Sequence, residues 1–279
     1  MVDKKNIQTH LGSLFNFASQ VPYCPNHILC LLQSVKSLIG INPDIIPENL
    51  LKYVENRVGE FEPCYTYPGN QHKELQPEVI SIEKLKKMIL KGKKQQAQEY
   101  LGFLLLVANP RHISEYLLEV AAEISPQPYL FCWTAVKSIK IMAPEDIPAV
   151  LYLCLDALLE ESNTETVEVE RFLVHAYYHQ IEKTALVRGE KILSKIDALM
   201  KTYPMKMEYV QQFPGELAYL IKEKGREGIH VFLNNLSLEE LNDELLYQLD
   251  GLRSVISFNE DWEKSQMFPF IQSSEDVNC

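Results

Sequence analysis

No apolar run in this chain approaches the roughly 20 residues that a membrane-spanning helix needs. The densest stretches, Leu101 to Ala108 and Ala149 to Leu159, are far shorter, and Asp156 interrupts the second. The opening Met-Val-Asp-Lys-Lys-Asn-Ile-Gln-Thr-His has none of the apolar core of a secretory signal. Cysteine is sparse and scattered, with six residues at 24, 30, 64, 132, 154 and 279 and no C-x-x-C pair. Thiols so dispersed in a chain this long argue against a disulfide framework and predict reduced cysteines. Together these absences predict a soluble cytoplasmic protein that does not enter a membrane.

Several catalytic fingerprints are also missing. The chain has no G-x-G-x-x-G, no phosphate-binding P-loop, no G-x-S-x-G elbow and no H-E-x-x-H pair. No segment alternates apolar and polar residues between turn signals, so no strand is expected. No fixed period marks a solenoid. Positive charge is in deficit: 27 Lys and Arg face 38 Asp and Glu, for a net charge of -11. An acidic chain repels the phosphate backbone, which disfavours nucleic acid as a partner. The one basic cluster, Lys84, Lys86, Lys87, Lys91, Lys93 and Lys94, reads as a solvated helix face opposite Ile82, Leu85 and Ile89. Recognition of an anion is the alternative.

Helical periodicity is present almost throughout. Ile28, Leu31, Leu32, Val35, Leu38 and Ile39 recur at three and four, and Gly40 supplies the stop. Pro47-Glu48 opens a second helix. Further helices are expected from Ser81 to Leu90, Gln95 to Val107, His112 to Ile124, Tyr129 to Met142 and Pro144 to Leu159, with Asn109-Pro110 and Ser125-Pro126 as stops. Later ones fall near 189–202, 206–222, 225–235 and 238–255, the last opened by Ser237 and Glu240 in capping-box spacing. The fold class is therefore all-α: a compact multi-helical bundle or an array of antiparallel helical hairpins, with about a dozen helices. The expected organisation is an N-terminal helical subdomain over 1–60, a Pro-rich connection over 61–79, a main helical domain over 80–257 and a tail over 258–279. A connection that long is uncommon inside a domain, so it reads as a domain seam or a functional lid.

One segment gathers candidate ligands. His175, His179 and Glu182 in Val-His175-Ala-Tyr-Tyr-His179-Gln-Ile-Glu182 stand at i, i+4 and i+7 and share a helix face. The full set spans about 10 Å of helix, too far for one ion, so a pair would bind and another helix would complete the site. His27, His72 and His112 are the outside donors. Iron or another divalent metal suits two histidines and a carboxylate. The alternative is that His175 and His179 are boundary residues beside Phe172, Tyr178 and Ile181. Cys24, His27 and Cys30 offer three further ligands, but a closed zinc site wants a fourth and tighter spacing.

Asn26-His27 before an amphipathic helix, the Gly40 turn and the acidic stretch through Tyr53 to Pro63 resemble the opening of the questin oxidase-like family. His179-Gln-Ile181-Glu-Lys-Thr184 is similar to that family's late histidine segment, and Thr134-Ala-Val136 with Pro144 afterwards to its central one. Phe131 stands where the central histidine is expected, and the family's Trp-Arg helix has no counterpart. The resemblance implies a helical oxidoreductase acting on an aromatic polyketide-like or related hydrophobic substrate, with His27 and His179 as its catalytic positions.

Two function classes follow. One is an oxidoreductase-like enzyme with a His-lined pocket for a hydrophobic small molecule, bordered by His27, His175, His179 and Glu182 with Tyr129 or Tyr178 as hydroxyl donors. The other is a non-catalytic helical module that binds a protein partner or an apolar ligand.

Overall fold

The computed structural model describes residues 4–24, 26–68, 81–124, 126–161 and 215–258. Among them are eleven α-helices, one 3-10 turn and no strand. The helices are α1 (Lys4–Ala18), α2 (Ile28–Ile39), α3 (Glu48–Gly59), α4 (Ile82–Ile89), α5 (Lys94–Val107), α6 (Pro110–Ile124), α7 (Pro126–Ser138) and α8 (Ile147–Glu161). After residue 214 come α9 (Gly215–Lys224), α10 (Arg226–Asn235), the 3-10 turn Leu238–Glu240 and α11 (Asp243–Phe258). The all-α reading stands for the described residues. No helix among them is long and apolar enough to cross a membrane.

Most boundaries follow the local chemistry read above, and the exceptions have identifiable causes. The apolar stripe from Ile28 to Ile39 is α2 itself, closed by the Gly40 amide on the Lys36 carbonyl at 3.0 Å. Asn109-Pro110 opens α6 as well as ending α5: Asn109 Oδ1 accepts from the Arg111 amide at 2.9 Å, and proline suits a first helical position. Pro126 likewise begins α7, which the sequence places at Tyr129. The segment 238–255 is not one helix. The Ser237–Glu240 capping box closes only the 3-10 turn, and Asn242 Oδ1 then takes the Leu245 amide at 2.9 Å to start α11 afresh. Helix α1, which is not among the helices expected from the sequence, buries Ile7, Leu11, Phe15 and Ala18 at helical spacing.

The chain forms two compact units, each interleaved along the sequence. The described part of one consists of residues 4, 34–56 and 215–258. In it α10 packs on both α9 and α11. Gly228 makes the first of these contacts possible, because a Cβ there would sit 2.3 Å from the Leu220 carbonyl oxygen. His230 on α10 lies 2.6 Å from the Ile45 carbonyl through Nε2, and Asn234 Nδ2 is 3.1 Å from its Nδ1. Asn49 donates to the Leu236 carbonyl and Tyr53 to Asp243, which holds α3 to the α10–α11 end.

The described part of the other unit consists of residues 5–33 and 57–161. Helix α8 is its centre, packed against α4, α5, α6 and α7. Every residue from Ala149 to Leu159 is buried. That explains why α8 is apolar all round, with no solvent face to pattern. Asp156 is the one charged residue in this buried run.

Candidate functional site

His27 ends the turn that leads from α1 into α2, and its ring is fully buried. Nδ1 accepts the Leu29 amide at 3.1 Å, so the ring proton lies on Nε2, which donates to the Val21 carbonyl at 3.0 Å. Both nitrogens are thus committed to backbone. Burial holds the imidazole neutral, with its pKa lowered to about 4, against the opposing effect of the Val21 carbonyl. A histidine so placed has no lone pair for a metal and no vacant nitrogen for proton transfer. Its function here is to fix the 21–29 turn.

The walls around it are aromatic and thiol-rich. Phe131 on α7 stands edge-on to the His27 ring at 5.2 Å between centroids and to Tyr23 at 5.0 Å. Tyr129 is buried two residues earlier on α7, and burial pushes its phenol up, so it is a neutral hydroxyl. Cys30 receives the Thr134 hydroxyl at 3.7 Å, and burial raises its thiol to about 12. Burial also raises Cys24 and, on α8, Cys154. Thiols held protonated this way behave as small hydrophobes, neither nucleophiles nor ready metal ligands. Among the described residues no group of three or more His, Cys, Asp or Glu is arranged to hold a metal ion.

The polar constellation of this unit is built instead around Asp156, in the C-terminal half of α8. Tyr65 Oη donates to Asp156 Oδ2 at 2.7 Å, and Lys94 at the start of α5 pairs with Oδ1 at 3.0 Å. The carboxylate is 8% exposed while the lysine is 58% exposed. A buried unpartnered carboxylate costs several kcal/mol, so these two contacts are what makes Asp156 tolerable on an otherwise apolar helix. The Tyr65 hydrogen bond is the stronger support, at about 1.5–3 kcal/mol for a bond to a charged acceptor. The lysine, largely in water, contributes less. Burial and the adjacent Asp156 charge both drive the Tyr65 phenol up, which keeps it a donor.

Tyr65 belongs to residues 61–68, an irregular strap within this unit. Its side chains alternate: Tyr65 and Tyr67 are partly buried, whereas Cys64, Thr66 and Pro68 are exposed. Tyr67 stacks on Tyr152 of α8 at 5.3 Å and 23°. Tyr152 in turn donates to the Gln98 carbonyl at 3.2 Å, and a Cβ on Gly102 would come within 2.8 Å of its hydroxyl, so α5 carries glycine there. The Tyr65 amide donates to the Gln20 carbonyl at 2.7 Å. Gln20 adjoins Val21, whose carbonyl His27 holds. His27 therefore sets the edge on which the strap docks, and the strap sets Tyr65 over Asp156.

His27 and Tyr129 are thus the sequence-derived site residues that the structure describes, and both lie in this unit. His175, Tyr178, His179 and Glu182 lie outside the described residues, as does His72. His112 is described and exposed on the first turn of α6. Of the basic cluster, Lys86 bonds Glu123 at 2.6 Å, Lys84 lies over the Tyr100 ring and Lys94 pairs with Asp156, while Lys87, Lys91 and Lys93 are exposed. Asp156 itself is legible in sequence only as a break in an apolar run. The signal that could have found it is that a lone carboxylate inside such a run must have partners elsewhere. No protein-family model matches the chain, and neither does any curated protein sequence or solved structure. Among the described residues the fold is all-α, and Asp156 is a buried carboxylate capped by Tyr65 and Lys94.

Proposed function

We propose that this protein binds a hydrophobic aromatic small molecule at the Asp156–Tyr152 surface of α8. The observation that carries the reading is the Asp156 carboxylate, buried in an apolar wall and already receiving a phenol hydroxyl from Tyr65. An apolar surface with one fixed acceptor and one stacking ring is the usual make-up of a small-molecule site. The chemistry on show suits a flat ring that bears a hydroxyl: the hydroxyl meets Asp156 and the ring meets Tyr152. The sequence resemblance to the questin oxidase-like family, with its implied hydrophobic aromatic substrate, points the same way, and reduced thiols suit a cytoplasmic setting.

The oxidoreductase-like activity is a separate part of this proposal and is not placed at the Asp156 surface. His27, bonded to backbone at both nitrogens, does not supply the proton transfer. That step rests on His175, His179 and Glu182, with iron or another divalent metal as the cofactor they suit. Calorimetric titration with 2-naphthol tests the binding, with naphthalene as the hydroxyl-free control. Binding that requires the hydroxyl and is lost in Asp156→Asn supports the site; equal binding of both compounds, or none, overturns it.

A further inference from the structure

Among the described residues, three contacts hold residues 62–68 against the rest of the unit, and two of them are made by phenol side chains. Residues 62–68 make one backbone hydrogen bond beyond their own segment, Tyr65 to Gln20, among the described residues. The remaining anchors are the Tyr65 hydroxyl on Asp156 and the Tyr67 ring on Tyr152. What lies beneath does not depend on the strap for its shape. Tyr152 is fixed by Gln98, and α8 is enclosed by four helices. Nor does the carboxylate lose all compensation when the strap leaves, because Lys94 reaches it from a different element and water can enter. The surface under the strap is accordingly preformed, and the strap supplies only groups that an external molecule could also supply.

We propose that residues 61–68 are a displaceable plug, in which Tyr65 and Tyr67 occupy from within the chain the two positions that a ligand takes at Asp156 and Tyr152. This inference rests on the binding site assigned above and adds its regulation. The ligand-competent state is the one with the strap released, so apparent affinity is the intrinsic affinity multiplied by the released fraction. Loosening the strap raises affinity without any new contact. The geometry distinguishes a plug from a lid. A lid closes over a bound molecule and gains order, whereas here the two tyrosines already fill the positions and must vacate them.

The test uses the full chain and 2-naphthol. The double variant Tyr65→Phe with Tyr67→Leu removes the hydroxyl and the stacking ring but leaves α8, Lys94 and Tyr152 unchanged. Circular dichroism should show wild-type helix content. The variant should bind 2-naphthol about tenfold more tightly than wild type. Adding Asp156→Asn to it should abolish the gain. In wild-type protein, saturating 2-naphthol should speed hydrogen exchange across 62–68, where a closing lid would slow it. Equal affinity of wild type and double variant, each weakened by Asp156→Asn, overturns the plug and leaves the binding site standing. Slower exchange on binding overturns the plug in favour of a lid. Absence of binding in every variant overturns both plug and site.

Discussion

The Nε2–H of His27 is held by the carbonyl of Val21, six residues earlier, at 3.0 Å. Nδ1 takes the Leu29 amide, and this second bond is the one that requires a ring without a proton on Nδ1. Protonation of Nδ1 would set two N–H groups face to face inside the core. Burial away from water is the main cause of the depressed pKa, about 4 against 6.5 for a free side chain.

A pH prediction follows with its sign. The unfolded chain binds the His27 proton near pH 6.5, and the folded chain resists it until about pH 4. Between those values the unfolded state holds more protons, so stability falls as pH drops through this window and levels off below it. The loss attributable to His27 is about 3 kcal/mol. Urea titrations of wild type and His27→Gln across pH 4 to 7 should differ by that slope. Identical pH profiles would show that the ring is not held neutral.

Replacing His27 with Ala should cost about 2–4 kcal/mol, because it leaves the Val21 carbonyl and Leu29 amide without their partner and opens a cavity beside Phe131. The same variant should speed exchange of the Tyr65 amide, since the edge that carries Gln20 is no longer fixed. A stability change below about 0.5 kcal/mol, the size of an ordinary surface substitution, would contradict this structural role.

Gly228→Ala should be among the most damaging single-methyl changes in the chain. Its Cβ would meet the Leu220 carbonyl at 2.3 Å and the Ile221 nitrogen at 2.8 Å, and neither is a flexible side chain. Helices α9 and α10 would have to separate, at a cost of about 1–3 kcal/mol or more. Gly59→Ala, with nothing within 4 Å of the added carbon, is the matched control. Chemical denaturation of the two variants should differ by that amount in midpoint stability.

The oxidoreductase-like reading is tested at His179. If the residue acts in a site, His179→Gln should change stability by less than about 1 kcal/mol while bound metal or ligand falls sharply. Metal analysis of the purified wild type and variant, beside a thermal melt, reads both quantities. A folded variant with unaltered metal content and ligand binding removes the enzyme reading from this position.

Most helices among the described residues are legible locally, although α1 and the break before Asp243 are not. The stripe from Ile28 to Ile39, the Pro47 start and the Asn109-Pro110 junction are local physics, because spacing, caps and missing amides act within a few residues. The same local view drew attention to His27 but not to its surroundings, since neither the Val21 carbonyl nor Phe131 is visible as a partner from the motif alone. Asp156 shows the boundary more sharply. Tyr65 lies 91 positions away from it in the chain, and no periodicity links an irregular Pro-rich segment to the C-terminal half of a buried helix. A helix can be read from its own residues because its hydrogen bonds close over four positions. A buried charge is made tolerable only by groups that the tertiary fold brings to it, and the fold alone decided that these would be a tyrosine from the strap and a lysine from α5.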